Sequence, residues 1–124
     1  MPTSKGLVLV VEDEPLMRMV AASFIQDAGY ETIEVADADQ AIAILEARND
    51  IRIVLADIDL RGSSMDGLKL AHAVRHRWPP VDLVLTSALT RPKKTELPAR
   101  GRFLPKPYRV EDLTAVLGEF GQAT

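Results

Sequence analysis

The sequence predicts one α/β domain, a doubly wound sheet of five parallel strands with helices on both faces. Three observations carry that expectation. Short apolar runs at 7–11 and 53–56 have no polar alternate, as strands buried on both faces require, and 81–86 is a further apolar run broken only by Asp82 before it ends at Thr86. Between the runs, apolar residues recur at helical spacing, and such alternation implies parallel strands joined by right-handed crossovers. Finally, three of the strands end abruptly in polar residues: Glu12 and Asp13, Asp57, and Thr86 with Ser87.

The elements follow in order. The 7–11 run meets Glu12-Asp13-Glu14-Pro15, and Pro behind an acid able to cap marks a helix start. Leu16, Val20 and Phe24 form the expected buried stripe of that helix, and Gly29 its stop. Residues 30–35 contain β-branched side chains and read as a second strand. Asp37, with Gln40 three residues on, resembles a capping box; Ala38, Ala41, Ile42 and Leu45 form the face behind it. The third strand, 51–57, is the centre of the pattern. A Gly/Ser loop follows, then a helix capped by Asp66 that carries Leu70, Ala71 and Val74 and stops before Trp78-Pro79-Pro80. A fourth strand covers 81–86. Pro92 and Pro98 leave room for only a short helix in 90–100. A brief fifth strand, 102–104, runs into Pro105, which an edge position tolerates. Val110, Leu113, Leu117 and Phe120 close the chain as a helix, with Glu111 and Asp112 at its positive end.

A chain of 124 residues, 47% hydrophobic and 27% charged, suits a single soluble globular domain over 1–124. The absence of cysteine excludes disulfides, thiol nucleophiles and thiolate-bound metals. The leader is too short and polar for a signal peptide and no apolar run suffices to span a membrane, so a cytoplasmic protein is expected. The net charge of −3 hides an asymmetry. Residues 1–60 hold twelve acids against four bases, whereas residues 88–109 hold seven bases against Glu96 alone. An acidic first half suits a cation site better than nucleic acid. The basic stretch either favours an acidic partner or is a solvated loop.

Burying an unpaired charge is costly, so Asp57 at the end of a buried strand implies an open mouth there. Carboxyl ends of parallel strands gather on one edge, where ligands of open α/β sheets bind. Glu12, Asp13, Asp57, Ser87 and, after the fifth strand, Lys106 are therefore expected to converge. Clustered carboxylates need a cation between them, and Mg²⁺ prefers oxygen ligands. A phosphate would complete the site, with Lys106 and Ser87 neutralising its oxygens. Taken singly, Glu12, Asp13 and Glu14 read as first-turn acids, Ser87 as a turn residue and Lys106 as a surface lysine. Asp57 has no comparably ordinary role. His72 and His76, four apart on one helix, lack an evident third metal ligand and read as surface residues.

Over nearly its whole length the chain resembles the receiver domain of two-component response regulators. The resemblance rests on Val10-Val11-Glu12-Asp13-Glu14-Pro15, Leu55-Ala56-Asp57, Met65-Asp66-Gly67-Leu68, Leu85-Thr86-Ser87-Ala88 and Phe103-Leu104-Pro105-Lys106-Pro107-Tyr108. It implies a flavodoxin-like (βα)5 fold with strand order 2-1-3-4-5. It also implies that Asp57 takes a phosphoryl group from a sensor histidine kinase or phosphotransfer protein, the chain catalysing its own phosphorylation and dephosphorylation. Glu12, Asp13, Asp57 and the backbone carbonyl of Asp59 would hold Mg²⁺. Ser87 and Lys106 would contact the phosphoryl oxygens, and Ser87 with Phe103 would form the switch that alters a partner-binding surface. The Lys106–Pro107 bond would be cis.

The chain departs from the family pattern at Arg61, in place of a usual Pro, at the lengthened Gly62-Ser63-Ser64 loop, and at Asp59, a fourth acid. The choice between Thr86 and Ser87 stays open by one residue, with Ser87 preferred because Ala88 follows it. The Pro-containing 90–100 segment points to output through loops. A stand-alone receiver is expected, a monomer or phosphorylation-dependent homodimer that binds neither nucleic acid nor membrane. The rival reading is a haloacid dehalogenase-like phosphatase with Asp57 as nucleophile and Asp59 as acid/base. It lacks further acids on a later strand. A binding-only module is the other alternative.

Overall fold

A computed structural model describes residues 4–121. Five strands, β1 (Leu7–Val11), β2 (Glu31–Val35), β3 (Ile51–Asp57), β4 (Asp82–Ser87) and β5 (Arg102–Pro105), form one parallel sheet in the order β2-β1-β3-β4-β5. Four helices cover it: α1 (Pro15–Asp27), α2 (Ala38–Ala47), α3 (Gly67–Arg77) and α4 (Val110–Gly121).

The unbroken apolar runs follow from two-sided burial. Leu9, Val11, Val54 and Ala56 pack on one face with Leu45 of α2 and Leu70 and Val74 of α3. Their alternates Val8, Val10, Ile53 and Leu55 pack on the other with Ile25 of α1 and Leu113 and Leu117 of α4. With period-two side chains and both faces covered, neither set tolerates a polar group. Three expected caps are present: Glu14, Asp37 and Asp66 accept from the backbone N–H groups of Met17, Gln40 and Lys69. The Gln40 side chain accepts from Ala36 N rather than Asp37 N, so that capping box is displaced by one residue.

One expectation needs correction. In α1 the buried stripe is Ala21, Ala22 and Ile25, with Phe24 partly buried, while Leu16 is 60% exposed and Val20 37%. The helix is rotated by about one position from the 16-20-24 stripe because Ala21 and Ile25 pack with Val8 and Val10. As Pro92 and Pro98 imply, the fourth crossover holds no α-helix, only a 3-10 turn at Lys94–Glu96. Backbone groups that a helix would satisfy are held from α3: His72 Nε2 bonds the Glu96 carbonyl at 2.7 Å, and Arg75 Nε donates to the Ala99 carbonyl at 2.7 Å. Both His72 and His76 are exposed.

Candidate functional site

The parallel sheet puts the ends of β1, β3 and β4 and the start of the β5–α4 loop on one rim. Glu12, directly after β1, and Asp57, the last residue of β3, are 6% and 7% exposed, although both are acids. The compensating charge is Lys106, whose Nζ lies 2.6 Å from Glu12 Oε1 and 3.1 Å from Asp57 Oδ2. Lys106 is placed by the edge pairing, which aligns Ser87 with Pro105 and lets Lys106 N donate to the Ser87 carbonyl. The Lys106–Pro107 bond is cis.

Burial and the neighbouring Asp57 charge raise the Glu12 pKa, while the Lys106 hydrogen bond opposes the rise. Burial would depress Lys106, but its hydrogen bonds to Glu12 and Asp57 prevail and hold its pKa above the ordinary lysine value. Lys106 is therefore a fixed cation at neutral pH.

Glu12, Asp13 and Asp57 each offer an oxygen, all within 4.8 Å of one another. Such a set of hard oxygen ligands, with more negative than positive charge, fits Mg²⁺. Local bonds fix the approach. Asp57 Oδ1 accepts from Asp59 N at 3.0 Å, Asp13 Oδ2 from Arg61 N at 3.0 Å, and Glu12 Oε2 from Glu14 N at 3.2 Å. The surrounding cleft, about 380 Å³, is lined by Glu12, Asp13, Asp57, Asp59 and Lys106, with Met17 and Leu89 at its apolar border. A larger cleft of about 840 Å³ lies at the opposite end of the sheet, beside Arg77 and Glu46, which pair with each other. It gathers no comparable set of reactive groups.

Ser87, buried at 1% exposure, turns its hydroxyl onto the Asp59 side chain, 2.6 Å from Oδ2. Thr86 is buried opposite Asp57 in the β3–β4 register. Phe103 is half-buried against the core shared with α2 and α3. Three contacts escaped sequence reading. Thr90 Oγ1 donates to Asp59 Oδ1 at 3.2 Å, Arg18 Nη1 donates to the Glu12 carbonyl at 2.9 Å, and Ser63 Oγ accepts from Ala38 N at 2.9 Å. None has a periodic or motif signal; each needs knowledge of which loops meet.

Residues 8–118 match the family model for the response regulator receiver domain. This chain belongs to that family. The receiver is 32% identical over 113 residues to the nitrogen assimilation regulatory protein NtrX of Azorhizobium caulinodans, covering 88% of this chain and 24% of that protein. It is 31% identical over 121 residues to the sensor kinase CckA of Brucella abortus, covering 94% of this chain and 13% of the kinase. The crystal structure of the receiver domain of NtrX from Brucella abortus superposes with a TM-score of 0.80 at 31% identity, over 94% of this chain and 99% of that one. The receiver thus spans about a quarter, or less, of the length of these curated relatives.

Family membership places the receiver among phosphoacceptor signalling modules. The phosphatase reading finds no support, since the acids after Lys106 among the described residues, Glu111, Asp112 and Glu119, all lie on α4. Among the described residues no helix is long and apolar enough to cross a membrane.

Proposed function

We propose that the receiver, as one unit over 1–124, accepts a phosphoryl group on Asp57 from the phosphohistidine of a sensor histidine kinase or phosphotransfer protein in the cytoplasm. The observation that carries this reading is the Lys106 ammonium bridging Glu12 and Asp57 at the mouth of the cleft. An Asp57 carboxylate oxygen attacks phosphorus, the P–N bond breaks, and its electron pair returns to the imidazole. Lys106 faces the oxygens that gain charge, and the Asp59 N–H orients the attacking carboxylate. Glu12, Asp13, Asp57 and the Asp59 carbonyl would hold Mg²⁺, whose chemistry there is neutralisation of the phosphoryl charge. The same groups serve hydrolysis, in which water attacks phosphorus, the P–O bond to Asp57 breaks, inorganic phosphate leaves and the Asp57 carboxylate is regenerated. This is the sense in which the receiver catalyses its own phosphorylation and dephosphorylation.

Converting the carboxylate to an acyl phosphate adds negative charge at one strand end. Ser87 and Phe103 are the residues expected to transmit that change to a partner-binding surface. The described chain has no fourth α-helix between β4 and β5, so the surface that changes is the 88–101 loop. Incubation with acetyl phosphate and Mg²⁺, followed by intact mass, tests the reading. One base-labile phosphoryl group should appear, and none without Mg²⁺ or in Asp57→Asn. An unchanged mass for the native chain, or equal labelling of Asp57→Asn, would refute it.

A further inference from the structure

We propose that Asp59 is a positioning residue that withholds the Ser87 hydroxyl from the phosphoryl position, with Thr90 as a second arm of the same latch. This deepens the phosphoacceptor reading and rests on it. Ser87 Oγ donates to Asp59 Oδ2 at 2.6 Å and accepts from the backbone N–H groups of Leu89 and Thr90 at 3.1 and 2.7 Å. A hydroxyl has one proton and two lone pairs, so its hydrogen-bonding capacity is filled. Thr90 Oγ1 donates to the other Asp59 oxygen. The carboxylate therefore ties down two hydroxyls of the loop after β4, and among the described residues it makes no ion pair. Through its backbone, Asp59 is also attached to Asp57 Oδ1.

This geometry makes the one proton of Ser87 a contested object. It cannot be donated to a phosphoryl oxygen on Asp57 while it is donated to Asp59. The incoming group is itself an anion that repels the Asp59 carboxylate, so it competes for the proton and weakens the latch at once. Release of Ser87 also disturbs the Leu89 and Thr90 amides that it caps, and the change then passes into the 88–101 loop. Asp59 sets how readily the switch is thrown.

The test uses the full chain, Mg²⁺ and beryllium trifluoride, an anion that adds to a carboxylate as a phosphoryl group does. Amide NMR of residues 87–90 follows the titration in native protein, Asp59→Ala, Ser87→Ala and the double variant. Asp59→Ala keeps the backbone carbonyl while removing the carboxylate. Loss of one charge-assisted hydrogen bond that opposes binding should tighten the trifluoride midpoint about tenfold. The gain should largely vanish in the Ser87→Ala background. Without any trifluoride, the 87–90 amides of Asp59→Ala should already lie part-way toward the native bound positions, and those of Thr90→Val should lie a smaller distance along the same path. An equal gain with and without the Ser87 hydroxyl would show a simple charge effect and overturn the latch, as would trifluoride-free amides unmoved in Asp59→Ala. Failure of the Asp57 reading looks different: native amides that ignore trifluoride, or that respond equally in Asp57→Asn, would remove the latch together with its foundation.

Discussion

Replacing Asp13 by Asn should make the receiver more stable without Mg²⁺ and less responsive to it. Oxygens of Asp13, Glu12 and Asp57 lie within 4.8 Å of one another, with a single ammonium, Lys106, bonded to the latter two. At an effective dielectric of about 20, two like charges at that distance repel by about 3.5 kcal/mol. Asp13 faces two such neighbours, but it is only half-buried, and Lys106 offsets much of their field. Screening by water and salt then leaves a net relief of about 1 kcal/mol. The Asn side chain can still accept from Arg61 N, so little else is lost. For a domain of this size the gain corresponds to about 4 °C in Tm. Thermal unfolding followed by circular dichroism, first in chelator and then across a Mg²⁺ series, reads both effects. Native protein should gain about 1.4 kcal/mol at tenfold excess of Mg²⁺ over Kd, and Asp13→Asn much less. If Asp13→Asn melts below native protein in chelator, or gains as much from Mg²⁺, the reasoning about this cluster is wrong.

Other perturbations probe the scaffold. A Cβ on Gly67 would fall inside contact distance of the Asp57 carbonyl oxygen and carbon, both backbone atoms. Gly67→Ala should therefore cost about 3 kcal/mol in urea unfolding and reduce phosphoryl uptake. Burial raises the Tyr108 pKa, and hydrogen bonds to Glu12 and Asp57 raise that of Lys106 against the effect of burial. Both groups hold their protons more tightly folded than unfolded. Their contribution is thus complete below about pH 10 and is lost as pH rises through the raised folded values. Stability measured against pH should fall in that alkaline window, with a shallower fall in Tyr108→Phe. Arg75 donates to the carbonyls of Ala99, Pro79 and Val81, so Arg75→Ala should speed hydrogen exchange at the Gly101 amide, which donates to Pro98.

Much of this molecule is written in local pattern. The 7–11 and 53–56 runs announce doubly covered strands because neither face of the sheet is solvated, and Glu14, Asp37 and Asp66 cap their helices as their positions suggest. The convergence of Glu12, Asp57 and Lys106 follows from parallel topology alone, since every strand delivers its carboxyl end to one rim. Rotation of α1 was not legible. Leu16, Val20 and Phe24 have correct spacing, yet the small Ala21 gives the better fit against Val8 and Val10. The path of 88–101 was legible only as the lack of a helix, because its anchors, His72 and Arg75, lie on another element. The side-chain role of Asp59 was hidden for the same reason: its partners, Ser87 and Thr90, are 28 and 31 residues away.

Borohydride reduction of the phosphorylated receiver, followed by peptide mapping, addresses the phosphoacceptor directly. An aspartyl phosphate is an acyl phosphate, and hydride converts it to homoserine at the modified position. Homoserine should appear at position 57, with unmodified aspartate at 13 and 59. Homoserine at 13 or 59, or a phosphoryl label that survives hydride on another residue, would contradict Asp57 as the phosphoacceptor.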